Sequence, residues 1–355
     1  MPKQLFHFDF KLPNKLESIP YPNTMYDAIV IGGGDVVIPY FFDQIYVFHK
    51  RAPRLPIYAF SVGVPFEEQT HLLDLCNMVH ARNISDQDAV SARIGPSNTI
   101  RYLDIAFLLR QAMQVWRRLP LLSPRRRVGL FLSRPIASGD MSYYSHVVKQ
   151  LAQLVENIYR RNPNTDFVFV PLDTNINDPT NCDYKINVDV LRILQENVNI
   201  FHNMTFLTAA DTVPDANEGI ANYPDKMCQI YSTLDFAICM RFHSTVLSIV
   251  TSTPFMTLHT TRKVSQLLQD TGFADRGYAL PLDPVTLAPV DLDVDRAMSM
   301  YAALSAVDRD SFNAQCANLS ANKAPVANAY ISALTKVLTD LPKRRQGAGY
   351  VSSAE

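Results

Sequence analysis

Apolar, strand-like runs alternate with helical patterns almost from end to end of this 355-residue chain. That alternation is what most limits the folds open to it. Strands separated by amphipathic stretches read as βα units feeding parallel sheets, because a parallel neighbour can only be reached through a long crossover. In the first part, strands are expected at Ala28 to Ile31, Ile57 to Val62, Met78 to Ala81 and Thr99 to Leu103. Helices are expected between them, at Pro39 to Lys50, Glu67 to Cys76, Asp86 to Arg93 and Ile105 to Arg118. Two prolines and a charge run then break the pattern over Leu119 to Arg127. The second series has strands at Val128 to Leu132, Phe167 to Val170, Thr205 to Leu207, Phe236 to Met240 and Phe255 to Leu258. Its helices fall at Tyr143 to Arg160, Val188 to Glu196, Asp225 to Thr233, Ser244 to Thr251 and Val264 to Thr271, with a terminal helix at Ser311 to Leu338. The reading is α/β: one domain over residues 1–118, a linker at 119–127, a second domain over 128–342 and a disordered tail at 343–355.

Composition excludes several classes. Hydrophobic residues at 47%, charged residues at 19% and a formal net charge of -1 describe an ordinary globular chain. There is no basic field for nucleic acid and no acidic tail for a basic partner. The five cysteines are odd in number, widely spaced and without metal-ligand spacing. They read as reduced thiols, which favours a reducing compartment. Met1 to Leu5 lacks the apolar core of a signal peptide and no run approaches a membrane span, so a cytoplasmic protein is expected.

Four motifs each follow an expected strand, so each lines the kind of edge where open α/β proteins bind ligands. The first is Ile31-Gly32-Gly33-Gly34-Asp35. Three glycines let a backbone approach a ligand and present N–H groups at the next helix; a tight turn capped by Asp35 is the alternative. Ser61-Val62-Gly63-Val64-Pro65 is another strand running into a glycine turn. Leu132-Ser133-Arg134-Pro135 ends the first strand of the second half on an arginine, which also reads as a surface residue. Arg241-Phe242-His243-Ser244 puts a guanidinium and an imidazole where a buried strand hands over to an apolar helix. Alone, that tetrad also suits an arginine capping carbonyls and a histidine satisfied in the core. Together, two arginines and a histidine can hold a carboxylate and a phosphate, the arginines bidentately and the histidine passing a proton. No GxSxG or GxxxxGK[ST] is present, and Asp173, Asp178 and Asp183 read as a solvated acidic loop.

Taken in order, the motifs resemble the polysaccharide pyruvyltransferase family from about Tyr26 to Gly272. The similarity includes the glycine triplet after Tyr26-Asp27-Ala28-Ile29-Val30 and the turn at Ser61 to Pro65. It continues with Ala81-Arg82-Asn83-Ile84-Ser85, Tyr102-Leu103-Asp104-Ile105-Ala106-Phe107 and Met240-Arg241-Phe242-His243-Ser244, then Thr253-Pro254 and Lys263. The resemblance implies a GT-B-like fold, two Rossmann-like domains facing a cleft, with the acceptor side first and the donor side second. It also implies transfer of the pyruvyl unit of phosphoenolpyruvate to a sugar diol as a ketal, with a glycan acceptor and neither metal nor resident cofactor. On that reading Arg241 and His243 are catalytic, Arg134, Ser133, Ser244 and Lys263 bind the donor, and Gly32, Gly33, Gly34, Asp35 and Gly63 form the cleft's glycine turns. Met1 to Pro22 has no counterpart of the family's Asn-x-Gly-Asp opening, so the N-terminus reads as shortened. Thr260 stands where the family tends to have tyrosine. Two rival readings use the same residues: a GT-B-type glycosyltransferase with a nucleotide-sugar donor, and a non-catalytic glycan-binding or partner-binding remnant. The acceptor sugar and the oligomeric state stay open.

Overall fold

The computed structural model describes residues 16, 18–20, 25–112, 125–134, 141–174, 182–196, 198–212, 223–282 and 291–340. The chain divides into two compact units, Met1–Asp104 with Ala324–Glu355, and Ile105–Lys323. The division falls at Asp104, whereas the sequence reading placed a linker at 119–127. Residues 119–124 of that linker, the expected tail and most of Met1 to Pro22 lie outside the described residues.

The first unit is a parallel sheet in the order β1-β2-β3, formed by β1 (Ile29–Gly32), β2 (Ile57–Val62) and β3 (Met78–Ala81). β2 is buried at nearly every position, so its sequence is almost continuously apolar, as expected of a parallel strand covered on both faces. Helix α1 (Pro39–Arg51) starts on a proline and buries Phe42, Ile45 and Phe48 on one stripe. Helix α2 (Ile84–Ile94) follows β3. The expected strand at Thr99 to Leu103 is reduced to one parallel bridge between Thr99 and Val79. The reason is local: the Tyr102 carbonyl accepts from His80 Nε2 and Gln87 Nε2, so side chains take what a strand ladder would have used.

A bulge interrupts β2. Pairing steps from Phe60 opposite His80 to Val62 opposite Ala81, which leaves Ser61 in the left-handed region at φ 55°. Its N–H donates to His80 Nδ1 at 3.2 Å, and its hydroxyl donates to Asp104 Oδ2 at 3.1 Å, which helps to hold it there. His80 is fully buried, and because Nδ1 accepts, Nε2 carries the proton it gives to the Tyr102 carbonyl at 3.0 Å. Burial pushes this imidazole below its ordinary range. The sign follows: below about pH 6.5 the unfolded chain takes up a proton that the folded chain refuses, so stability falls as pH drops. Unfolding measured by denaturant between pH 7 and 5 should lose up to about 1 kcal/mol per pH unit through His80, and His80→Gln should flatten that slope. An unchanged slope would remove His80 as its cause.

The second unit is a six-stranded parallel sheet in the order β6-β5-β4-β7-β8-β9. Its strands are β4 (Arg126–Phe131), β5 (Thr165–Phe169), β6 (Met204–Phe206), β7 (Phe236–Cys239), β8 (Phe255–His259) and β9 (Gly277–Ala279). The chain works outward from β4 to one side, then returns to β7 and works outward to the other, which is doubly wound topology. Helix α3 (Met141–Arg161) carries Val147, Leu151, Leu154, Val155 and Ile158 on one stripe. It packs beside α4 (Asp183–Leu194), whose Ile186, Val190 and Leu194 complete the layer over Phe167, Phe169, Phe236 and Ile238. α4 begins at Asp183 rather than Val188. The three-residue edge strand β9 was too short to read from sequence, and helix α8 (Val294–Ser305) was also missed. Between them in the chain lie α5 (Tyr223–Ser232), α6 (Phe242–Val250) and α7 (Arg262–Thr271). The last helix, α9 (Arg309–Asp340), runs from the second unit into the residues of the first.

All five cysteines are buried and free of disulfides. Burial pushes the Cys76, Cys228 and Cys239 thiols up to about 12 and Cys316 to about 11, so they stay protonated and unreactive at neutral pH. Among the described residues no helix is long and apolar enough to cross a membrane.

Candidate active site

Because the strands of the second unit are parallel, their carboxyl ends share one edge, and the strand order reverses between β4 and β7. Ligands of open α/β sheets bind at such a reversal. Ser133 and Arg134 follow β4, Arg241 to Ser244 follow β7, and Lys263 sits in the first turn of α7 after β8. Sequence-predicted residues from three strand ends are thus brought to one edge.

Helix α6 is buried at every position except His243. A helix buried on all sides belongs in a core, whereas His243 is exposed and meets the Phe242 ring edge-on at 5.4 Å. The core-histidine reading is therefore set aside. The exposed ring sits at a helix N-terminus, where backbone N–H groups and the helix dipole favour an anion.

Arg241 is not a bare cation. Its Nε donates to both carboxylate oxygens of Asp183 at 2.9 Å, and a terminal nitrogen donates to Oδ1 at 2.7 Å. The Asp183 side chain is 1% exposed against 26% for Arg241. The same carboxylate accepts from the backbone N–H groups of Leu172 and Asp173, both at 3.0 Å. Asp173 itself lies 3.9 Å from the guanidinium. Burial pushes the Asp183 carboxyl above its ordinary range, against the downward pull of Arg241 and the two amides. Asp183 thus opens α4 in the interior, which corrects its reading as part of a solvated loop; Asp178 lies outside the described residues.

Ser244 departs from its expected donor contact. It is fully buried, and its hydroxyl accepts from the Arg241 N–H at 3.2 Å and donates to the Arg241 carbonyl at 2.6 Å. As the third residue of the helix it closes the turn, in the manner of a capping box. Ser133 donates weakly to the Arg134 carbonyl at 3.4 Å.

Arg134 lies over the Tyr144 ring at 5.7 Å, and Lys185 lies over the same ring at 5.1 Å. The Tyr144 hydroxyl donates to Asp189 at 2.7 Å, and Lys185 donates to the same oxygen at 2.9 Å. Burial, followed by the Asp189 contact, pushes the Tyr144 phenol well up, so it acts as a donor. Two positive groups therefore share one aromatic platform. Sequence reading missed Lys185, although a lysine in the first turn of a helix at a strand's carboxyl end was visible as such. It also missed His259 at the end of β8, buried between Thr257 Oγ1 at 3.1 Å and Ser265 Oγ at 2.8 Å.

The glycine turns gather in the first unit. Gly33 and Gly34 have φ of 71° and 75°, a region that suits glycine. The Gly63 N–H donates to the Gly34 carbonyl at 2.7 Å, locking the two turns together. Asp35 pairs with Arg82, whose side chain is 2% exposed against 37% for Asp35. Asp35 is therefore an ion-pair partner and not the cap of α1, which is Ile38. Among the described residues no group of three or more His, Cys, Asp or Glu is placed to hold a metal ion.

Comparison with known proteins agrees with this architecture. A co-structure of S. aureus MnaA with UDP superposes with a TM-score of 0.55 at 10% identity, over 95% of this chain and 82% of that one. A UDP-forming trehalose-phosphate synthase from Burkholderia xenovorans gives 0.52 at 11% identity, over 93% and 77%. The fold is GT-B-like. Residues 2–259 match the family described as polysaccharide pyruvyl transferase, and the chain belongs to that family. It is a transferase acting on glycans. The match takes in Arg134, Arg241, His243 and Ser244, begins before the expected Tyr26 and ends short of Lys263. No curated protein matches the sequence.

Proposed function

We propose that the second unit binds phosphoenolpyruvate and transfers its pyruvyl group to two hydroxyls of a sugar as a cyclic ketal. The observation that carries the reading is His243, the one exposed residue of an otherwise buried helix, placed where the strand order reverses. In the reaction two C–O bonds form at C2 of the donor, and the C–O bond to phosphate breaks. Of the two hydroxyl protons, one ends on the methyl carbon and the other leaves with phosphate. His243 is the group for the second transfer, since an imidazole can both take up and release a proton near neutral pH. Arg134 and Lys263 meet the donor's phosphate and carboxylate as charge builds on the departing oxygen. Arg241, already matched by Asp183, contributes aimed N–H groups more than net charge. No resident cofactor or metal enters these steps.

The rival donor is a nucleotide sugar, which the same residues could hold and which the fold shared with UDP-bound S. aureus MnaA favours. Thermal unfolding separates the two. Phosphoenolpyruvate at a hundredfold excess over its Kd should stabilise the protein by about 2.7 kcal/mol, and UDP-sugars should not. Stabilisation by a UDP-sugar alone would replace the proposal with its rival.

A further inference from the structure

We propose that Asp183 is the positioning residue of the donor site, acting through Arg241; this rests on the reading of Arg241 as a donor ligand. Asp183 is held from several directions. Its N–H donates to the Asp173 carbonyl at 2.8 Å, its own carbonyl accepts from Asn187 Nδ2 at 2.8 Å, and its carboxylate takes the Leu172 and Asp173 amides. Such a carboxylate has no freedom to follow the arginine, so the arginine follows it. Three charge-assisted contacts then fix both the tilt and the plane of the guanidinium. In this way the loop after β5 and the start of α4 set an arginine borne by β7, across the intervening β4. A charge pair with a buried carboxylate is seldom the most stable filling for its volume, which leaves its effect on the aim of Arg241 as the physical gain.

Positioning through Arg241 predicts losses that do not multiply. The test uses the full chain with Asp183→Asn, Asp183→Glu, Arg241→Met and the Asp183→Asn/Arg241→Met double variant, each with its Tm recorded. Asp183→Asn and Arg241→Met should each lower kcat/KM for phosphoenolpyruvate by about 10- to 100-fold, mostly through KM. The double variant should be no worse than Arg241→Met alone, because Asp183 has nothing left to aim. Asp183→Glu keeps the charge but displaces it, and should lose about tenfold in kcat/KM, with a Tm lowered by the extra methylene in a buried position. Should Asp183→Asn fail to fold, the Glu variant and the doubly neutral pair still decide the matter. Losses that multiply in the double variant, or a Glu variant with unchanged kcat/KM, would overturn the proposal. If the native chain does not turn over phosphoenolpyruvate, the donor reading fails by itself, and positioning is then read from inorganic phosphate binding by the same proteins. Non-additive losses there support it; additive losses, or no phosphate binding by the native chain, reject it.

Discussion

Replacing His243 with alanine is expected to lower turnover by about 10²- to 10⁴-fold while leaving the fold intact, the range seen when a positioned acid or base is removed. The two halves of that expectation come from one fact. Every other residue of α6 is buried, so the helix is held by Phe242, Val246, Leu247, Ile249 and Val250, and an exposed side chain at its second position contributes little to that packing. Unfolding free energy should therefore stay within about 0.5 kcal/mol of the native value. If the rate depends on an imidazole passing a proton, His243→Gln should be nearly as slow as alanine despite its polar amide. A His243→Ala enzyme with native turnover would take the imidazole out of the chemistry. A large fall in Tm would instead make it a structural residue.

Gly63→Ala is expected to destabilise the first unit by about 3 kcal/mol, through a contact that strand patterning alone would not reveal. A β-carbon at this position would run into Asp35 Oδ1 and stand 2.7 Å from an Arg82 guanidinium nitrogen. The arginine is almost wholly buried and cannot withdraw into solvent, so the pair itself has to separate. At that magnitude Tm should fall by about 5–10 °C. The source of the loss can be isolated. In an Asp35→Ala background the nearer obstruction is gone, and adding Gly63→Ala should then cost less, with only the Arg82 contact left to relieve. Equal losses in both backgrounds would mean that the close approach of Asp35 and Arg82 is not what the glycine protects.

Much of this fold is legible in the sequence because parallel strands buried on both faces leave an almost unbroken apolar record. Ile57 to Val62 and Met78 to Ala81 are bounded as read, and the strands from Val128 to Leu258 shift by only a residue or two. Failures occur where side chains override backbone patterning. Thr99 to Leu103 has the composition of a strand, yet His80 and Gln87 take the Tyr102 carbonyl. The start of α4 was set too late because Asp183 is polar, and a buried aspartate has no apolar signature.

The candidate site shows the same division. Strand-end placement marked Arg134, Arg241, His243 and Lys263, since position along a strand is a one-dimensional property. What each group bonds to depends on residues far away in sequence. Asp183 lies 58 residues from Arg241, and Asp35 lies 47 residues from Arg82. No local pattern announces either pair, and both change the local charge: one turns a supposed free cation into an aimed, neutralised donor. Ser244 sits within the most informative tetrad and still faces inward, because the third residue of a helix is where a serine closes the turn.

The most direct test is to follow inorganic phosphate and ketal together while the protein is incubated with phosphoenolpyruvate and a panel of sugars bearing paired hydroxyls. The account predicts phosphate release only when an acceptor is present, one phosphate for each pyruvate ketal formed, and loss of both in His243→Ala. Consumption of a nucleotide sugar under the same conditions, with neither phosphate release from phosphoenolpyruvate nor ketal formation, would contradict it.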